Sequence, residues 1–519
     1  MVSRVNHSSA CTLQSMCWIL LIILVAAGVR FYALSKPAVW ADEGFTLLLS
    51  SYSPSQILFH TARDVHPPLY YLLLHEWMNA FGNGVFAARS LSALADVASV
   101  GLGIWLVRLV STRRAAMLAG IMLALLPIAV RYSQEVRMYA VLALLMVSAT
   151  IAFVYWVKGT GSHWPLAVYA LLMLAGLYTH YFAAVCMASH WAWLLVLRCQ
   201  SKLLAPAWWL ANGTVVLLFM PWVPSLMNQL RFSGFNWIAP LDVPTVVSAF
   251  WQFVSYSDGP KESIWLFYSV PLLMLLVSAV IVMRDTSEKK LSTLLVMYTW
   301  FPLVLIAGVS LVRPLFIYRY FVFAALGFPM ILAMALDALW GRAKAFFFVL
   351  LLLIVSVESV GLYNVHQRGH VVYGEVNKVD ALADYINASA RPDDGIVVAN
   401  RFLYYPFAYY NKTGVTPMLY TPPKKDGTSG RPDGYLTSTL TQQNADKVYL
   451  DNLERLTPGS GRVWVLDGRG DGAQPVVIPE NWRLLDTFTQ GDGDVRLFSV
   501  SPRDSEKKQK KTNPSSPVS

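Results

Sequence analysis

Four short clusters of ionisable and hydrogen-bonding residues stand out in an otherwise apolar chain: Asp42-Glu43, Asp64-Val65-His66-Pro67-Pro68, Arg131 to Tyr139, and Tyr178 to Tyr181. A carboxylate beside a bound hydroxyl can take its proton and make the oxygen a better nucleophile. Asp42 with Glu43 offers that chemistry, or else Asp42 caps a helix that opens the apolar run Phe45 to Leu49. His66 directly precedes Pro67, which restricts it to extended backbone and projects its ring from a turn. Asp64 stands two residues away, placed to orient that ring or stabilise its charge. The third cluster, Arg131-Tyr132-Ser133-Gln134-Glu135-Val136-Arg137-Met138-Tyr139, contains two guanidinium groups. Arginine grips phosphate oxygens through planar, permanently charged donors. Glu135 lies four residues from Arg131, a spacing that suits an ion pair, which would make one arginine structural and leave the other for an anion. Arg313, Arg319 and Tyr320 form a similar group later, and His180 and Tyr181 belong to the fourth cluster.

The elements that must position these groups are membrane spans. The chain has 519 residues, 55% hydrophobic and 14% charged, with a mean hydropathy of +0.46. A soluble domain carries about a quarter charged residues, so the composition points to a polytopic α-helical membrane protein. The net charge of +10 does not imply nucleic acid, because the cations sit in short loops between apolar segments and in the tail Lys507-Lys508-Gln509-Lys510-Lys511. Of the four cysteines, Cys11, Cys17, Cys186 and Cys199, none falls in the hydrophilic C-terminal region, and no disulfide framework is expected. Cys17 to Val29 followed by Val39-Trp40-Ala41 imitates a cleavable leader, but Arg30 interrupts that layout and an uncleaved span is expected.

With roughly 20 apolar residues needed per crossing, about eleven spans are expected: 17–35, 87–108, 115–131, 138–157, 164–182, 183–199, 204–226, 263–283, 291–312, 316–338 and 345–364. Arg108, Arg113, Arg114, Lys158, Arg198, Lys202, Arg284, Lys289, Lys290, Arg342 and Lys344 all fall on one side if the N-terminus is cytoplasmic. Asp42, Asp64, His66, Glu135 and His180 then lie on the extracytoplasmic side of an inner (plasma) membrane. Within the first outer loop, Pro67 to Phe81 reads as an interfacial helix with proline at its start. A second outer loop, 228–262, is rich in aromatics: Phe232, Phe235, Trp237, Trp251, Phe253 and Tyr256. It reads as an interfacial belt or as a lid beside a lipid-facing site.

The domain boundaries expected are 1–16 as a cytoplasmic N-terminus and 17–364 as the membrane domain, then 370–502 as a small extracytoplasmic α/β domain and 503–519 as a disordered basic tail. In the α/β part, Gly395 to Ala399 and Arg462 to Leu466 read as strands and Val379 to Ala390 as a helix. A required metal is not expected, since no His/Cys/Asp cluster has ligand spacing, although Asp42 with Glu43 could hold a divalent ion. A transporter or lipid-linked sugar flippase would place ionisable groups at mid-membrane. Of the acidic residues, Asp96 is read as the one deep in an expected span, where it could pack against a polar neighbour, whereas the reactive groups gather at one face, which favours an enzyme. A scaffold of an envelope polysaccharide complex is the third reading.

Together, Asp42-Glu43, Asp64-Val65-His66-Pro67-Pro68, Tyr132 to Tyr139 and Tyr178-Thr179-His180-Tyr181 resemble the GT-C superfamily of integral-membrane glycosyltransferases. The likeness is to glycosyltransferase family 39 and the bacterial relatives of protein O-mannosyltransferases, over about residues 15–340. The resemblance implies inverting transfer of a sugar from a polyprenyl-phosphate donor to an acceptor hydroxyl on a glycan, lipid or protein. It makes Asp42 the general base and Glu43 its neighbour in positioning the acceptor. Asp64, His66, Arg131, Tyr132, Glu135, Arg137, Tyr139, His180, Tyr181 and Arg319 are the expected substrate-binding residues. Protein O-mannosyltransferases continue the His-Pro-Pro element with Leu-Gly-Lys, where this chain has Leu69-Tyr70-Tyr71. That lysine is missing, so the likeness carries the reaction type and leaves the sugar and the acceptor class open.

Overall fold

The computed structural model describes residues 2–500 apart from 160–161, 198, 233–237, 369–370, 373–374, 425, 443, 457 and 469–475. Phe235, Trp237, Arg198 and the tail 503–519 thus lie outside the described residues. The chain divides into two units: residues 1–34 with 53–367, and residues 35–52 with 368–519.

The first unit is helical. Eight helices are long and apolar enough to cross a membrane: Gln14–Phe31, Val85–Val110, Tyr139–Lys158, Pro206–Phe232, Ile264–Arg284, Leu291–Ser310, Tyr318–Leu339 and Lys344–Gln367. The pair Arg113–Leu125 and Pro127–Ser133, bent by 53°, makes a ninth if it is one span. Proline drives that bend, for it lacks an N–H and pushes the residue before it out of helical backbone, as the φ −56°, ψ 111° of Leu126 shows. Two further segments expected as spans, 164–182 and 183–199, are the helices Trp164–Thr179 and Ala183–Val196 of 16 and 14 residues. Each is shorter than the roughly 20 residues a crossing needs, because Thr179-His180-Tyr181 breaks the apolar run between them. Among the described residues, length and apolarity thus give eight or nine spans where about eleven were expected. The helix expected from Pro67 starts after both prolines, at Leu69–Phe81.

Lipid is as apolar as a leucine side chain, so membrane helices are held together by close packing and by polar contacts between them. Phe153 stacks on His190 at 4.6 Å and Trp156 on Trp208 at 5.1 Å, with Tyr169 and Trp193 closing the cluster. His190 is itself in hydrogen-bond range of Thr150 Oγ1 (3.2 Å) and the Tyr169 hydroxyl (3.3 Å). Toward one end of the bundle the basic loops meet. Arg114 pairs with Asp337, which also accepts from Thr112 at 2.9 Å. Lys158 donates to Leu109 O, Lys202 to Trp156 O and Lys289 to Val157 O. The loops that positive-inside counting assigns to one side are therefore neighbours in space.

The second unit is an α/β fold. Its six-stranded sheet is ordered β3-β2-β1-β4-β6-β5, where β1 is Gly395–Val398, β2 Met418–Tyr420, β3 Tyr449–Leu450, β4 Arg462–Gly468, β5 Trp482–Gln490 and β6 Gly493–Val500. Strands β1 to β4 run parallel, with Val397 opposite both Met418 and Val465, and β6 and β5 add an antiparallel edge. Every residue of β1 is buried, as expected of a central parallel strand covered on both faces. Both strands read from the sequence are present, and the helix expected at 379–390 is Val379–Ser389. The helix Ala41–Ser50, which carries Asp42 and Glu43, belongs to this unit.

Candidate functional site

In the helical unit, Asp64 and His66 stand in the turn before Leu69–Phe81, with Asp64 Oδ2 3.3 Å from His66 Nδ1. The Tyr71 hydroxyl, in the first turn of that helix, donates to the same oxygen at 3.4 Å. Burial alone would raise the Asp64 carboxyl; the His66 hydrogen bond and charge, the Val65 N–H and the Arg137 charge outweigh it and hold it below its ordinary value. The His66 ring lies 5.6 Å from that of His180, in the break between Trp164–Thr179 and Ala183–Val196. The Phe182 N–H donates to His180 Nδ1 at 3.2 Å, which places the proton of the neutral ring on Nε2.

Around His180 the aromatic side chains form a wall. Tyr320 is 5.0 Å away and Tyr139 6.1 Å, and Tyr132 packs 5.1 Å from Tyr139. Among the described residues the buried Tyr139 hydroxyl has no hydrogen-bond partner, a cost that a bound ligand or water would remove. Arg137 is buried with its guanidinium 5.8 Å from the Tyr139 ring, and its charge acts on both Asp64 and His180. The charge of Arg319 acts on His180 and Tyr132 from the opposite chain segment. Asp64, His66, Tyr132, Arg137, Tyr139, His180 and Arg319 therefore gather in one place.

The remaining expected binding residues hold the frame. Arg131 Nη2 pairs with Glu135 Oε1 at 2.6 Å, and Arg131 Nε donates to the Tyr256 hydroxyl at 2.9 Å. Tyr181 donates to Gln229 Oε1 and accepts from Trp222 Nε1 at 2.9 Å, while Gln229 reaches Thr61 O at 2.8 Å. Of the two arginines in the third cluster, Arg131 is the structural one.

Sequence reasoning missed the pair that sets the bent helix. Arg30, fully buried, donates from Nε to Asp96 Oδ2 at 2.7 Å and from its Nη atoms to Leu123 O and Ala124 O at 3.0 and 2.8 Å. Those carbonyls sit just before Leu126-Pro127, where the helix loses its own donors. Gln134 then donates to the carbonyls of Arg30 and Tyr32 at 3.0 and 2.9 Å, tying the far side of the bend to the first helix. The signal was an unmatched cation and an unmatched anion, each inside an expected span.

Asp42 and Glu43 occupy the first turn of Ala41–Ser50, where carboxylates suit the helix dipole. Trp40, not Asp42, is the N-cap residue, so capping does not explain the acidic pair. Glu43 is buried and Asp42 half-exposed, which makes Asp42 the more accessible acid. Among the described residues no three His, Cys, Asp or Glu side chains are grouped to hold a metal ion.

Residues 65–224 match a family model described as dolichyl-phosphate-mannose-protein mannosyltransferase. No curated protein matches the sequence significantly. Among solved structures, ArnT from Cupriavidus metallidurans in the apo state is similar, with a TM-score of 0.59 and 16% identity, covering 94% of this chain and 100% of that one. The same protein bound to undecaprenyl phosphate gives 0.58 and 15%, covering 94% and 99%. The archaeal oligosaccharyltransferase AglB from Archaeoglobus fulgidus, in complex with an inhibitory peptide and a dolichol-phosphate, gives 0.52 and 11%, covering 87% and 69%. The chain is an integral membrane protein that shares the fold of ArnT and AglB, and its residues 65–224 match the mannosyltransferase model.

Proposed function

We propose that this protein is a glycosyltransferase that moves a sugar from a polyprenyl-phosphate donor to an acceptor hydroxyl at the extracytoplasmic face of the inner membrane, with inversion. The observation that carries this reading is the gathering of Arg137, Arg319, His180 and the buried Tyr139 hydroxyl at one end of the helical unit, the first, third and fourth of them within the residues 65–224 that match the mannosyltransferase model. ArnT and AglB, which share the fold, were solved with undecaprenyl phosphate and with a dolichol-phosphate. A lipid-linked donor keeps its tail in the bilayer and presents its phosphate to such cations.

In the reaction, the acceptor oxygen attacks the anomeric carbon as the bond from that carbon to the phosphate oxygen breaks. The electron pair leaves with the polyprenyl phosphate, whose charge Arg137 and Arg319 stabilise as it develops. Inversion has the acceptor oxygen enter opposite the leaving group, and the resemblance makes Asp42 the group that takes its proton. His180 and Tyr139 donate to the phosphate or the sugar, and no step calls for a metal. Tyr71 stands where protein O-mannosyltransferases carry lysine, so the proposal names neither the sugar nor the acceptor class. On this reading the N-terminus is cytoplasmic and the α/β domain extracytoplasmic, following the loop charges.

Mass spectrometry of envelope glycans and polyprenyl-phosphate sugars, with and without the protein, tests the reading. Loss of one glycan with build-up of one lipid-linked sugar is expected. Altered transport of a lipid-linked sugar with every transfer step intact would replace the enzyme with a flippase.

A further inference from the structure

The α/β domain takes no part in the chemistry above, yet it holds the segment that supplies the base. Residues 35–52 group with residues 368–519, more than 300 positions along the chain. The join is backbone against backbone. A Cβ at Gly44 would lie 2.6 Å from the nitrogen of Pro406 and 2.7 Å from the carbonyl carbon of Tyr405. Only glycine permits that approach, and Pro406 presents no N–H that the contact would strand. Pro406 lies inside the helix Arg401–Tyr410, which follows β1 directly and whose Tyr404, Tyr405 and Phe407 are buried. One residue on from Gly44, Phe45 meets the Tyr405 ring edge-on at 5.6 Å. Just ahead of the acidic pair, both polar backbone groups of Val39 are held. Its N–H donates to the Tyr410 hydroxyl at 3.0 Å, and its carbonyl accepts from Asn377 Nδ2 at 3.2 Å.

We infer that the α/β domain acts as the holder of the acidic helix. Gly44, Pro406, Tyr410 and Asn377 are positioning residues that fix where the Asp42 carboxylate stands. The inference rests on the reading of Asp42 as the base. The contacts at Val39 fix the backbone entering the helix, and the Gly44–Pro406 contact fixes its depth on the domain. With both in place, the acid pair sits on a rigid sheet-backed scaffold. A base displaced by about 1 Å loses on the order of 100-fold in rate.

The test is transfer kinetics on the full-length protein in vesicles, using the lipid-linked sugar that accumulates in cells lacking it. Gly44→Val is expected to lower kcat by about 100-fold with the donor KM unchanged. Tyr410→Phe removes one hydrogen bond and is expected to lower kcat by about 3- to 10-fold, again at constant donor KM and unchanged thermal inactivation. Should Gly44→Val fail to fold, Tyr410→Phe together with Asn377→Ala decides the matter. Full kcat in these variants, or kcat, donor KM and stability falling together, would overturn the holder role. Asp42→Asn is assayed alongside. If it retains activity, the base assignment fails; if it is inactive while the positioning variants are fully active, only the holder role fails.

Discussion

At one end of the helical unit Arg114 meets Asp337 with its side chain 42% exposed, whereas at the other Arg131 meets Glu135 with side chains 12% and 2% exposed. The first end meets its cations with carbonyls from the last turns of two helices and with one carboxylate: Lys158 on Leu109 O, Lys202 on Trp156 O, Lys289 on Val157 O, Arg114 on Asp337. The second buries Asp64, His66, Glu135, Arg137 and His180 among tyrosines. Charge in water near a bilayer sets orientation and contributes little to the fold. Charge taken out of water is costly unless each group has a partner or a ligand. The difference separates topology from chemistry within one bundle of helices.

The sharpest way to break that comparison is at Arg30, whose partner Asp96 is equally buried. Arg30→Met leaves Asp96 buried and uncompensated, and a loss of about 3–5 kcal/mol is expected, read as earlier thermal inactivation in detergent. Arg30→Met with Asp96→Leu should restore much of it, since an apolar pair has no charge to desolvate. Next, Arg137→Gln removes a charged donor from the site. It should raise the donor KM about 10- to 100-fold, the equivalent of about 1.5–3 kcal/mol, with abundance unchanged. A steady KM would move phosphate recognition to Arg319.

Asp64 gives a smaller, pH-dependent effect. Burial opposes its charged form, but His66 and Arg137 hold its carboxyl below the ordinary 3.8. A depressed carboxylate contributes stability that is fully present above its unfolded value and lost as pH falls through its folded value. Thermal inactivation of the native protein should therefore stay constant down to the ordinary carboxylate range and weaken only below it. In His66→Gln, with the hydrogen bond and charge of His66 gone, burial offsets more of the depression and that acid-side loss should be smaller. The smallest effect is expected at the exposed end: Arg114→Ala should change stability by about 0–1 kcal/mol and leave transfer kinetics untouched. A large loss there would erase the contrast between the two ends.

Much of this was legible in the sequence for physical reasons. Long apolar runs, loop cations and the change of composition after Tyr363 fix the class of architecture, because bilayer thickness and charge desolvation leave few alternatives. The Arg131–Glu135 pair followed from spacing alone. The bend at Leu126-Pro127 and the shortness of the helices around His180 escaped notice, since hydropathy averages over a proline or a three-residue polar break. Arg30 and Asp96 are 66 positions apart, and only tertiary packing makes them one group. The same holds for Gly44 and Pro406, where a glycine inside a helix is a sign of close approach but does not name what approaches. Tyr181 read as a binding residue from its motif, yet its hydroxyl is engaged with Gln229 and Trp222.

The most direct test of the central claim compares cells carrying the native protein with cells carrying Asp42→Asn at matched membrane abundance, by mass spectrometry of lipid-linked sugars and envelope glycans. Build-up of one polyprenyl-phosphate sugar with loss of its glycan is the predicted result. A profile identical to the native one, under conditions where removing the whole protein alters it, would contradict Asp42 as the base of the transfer.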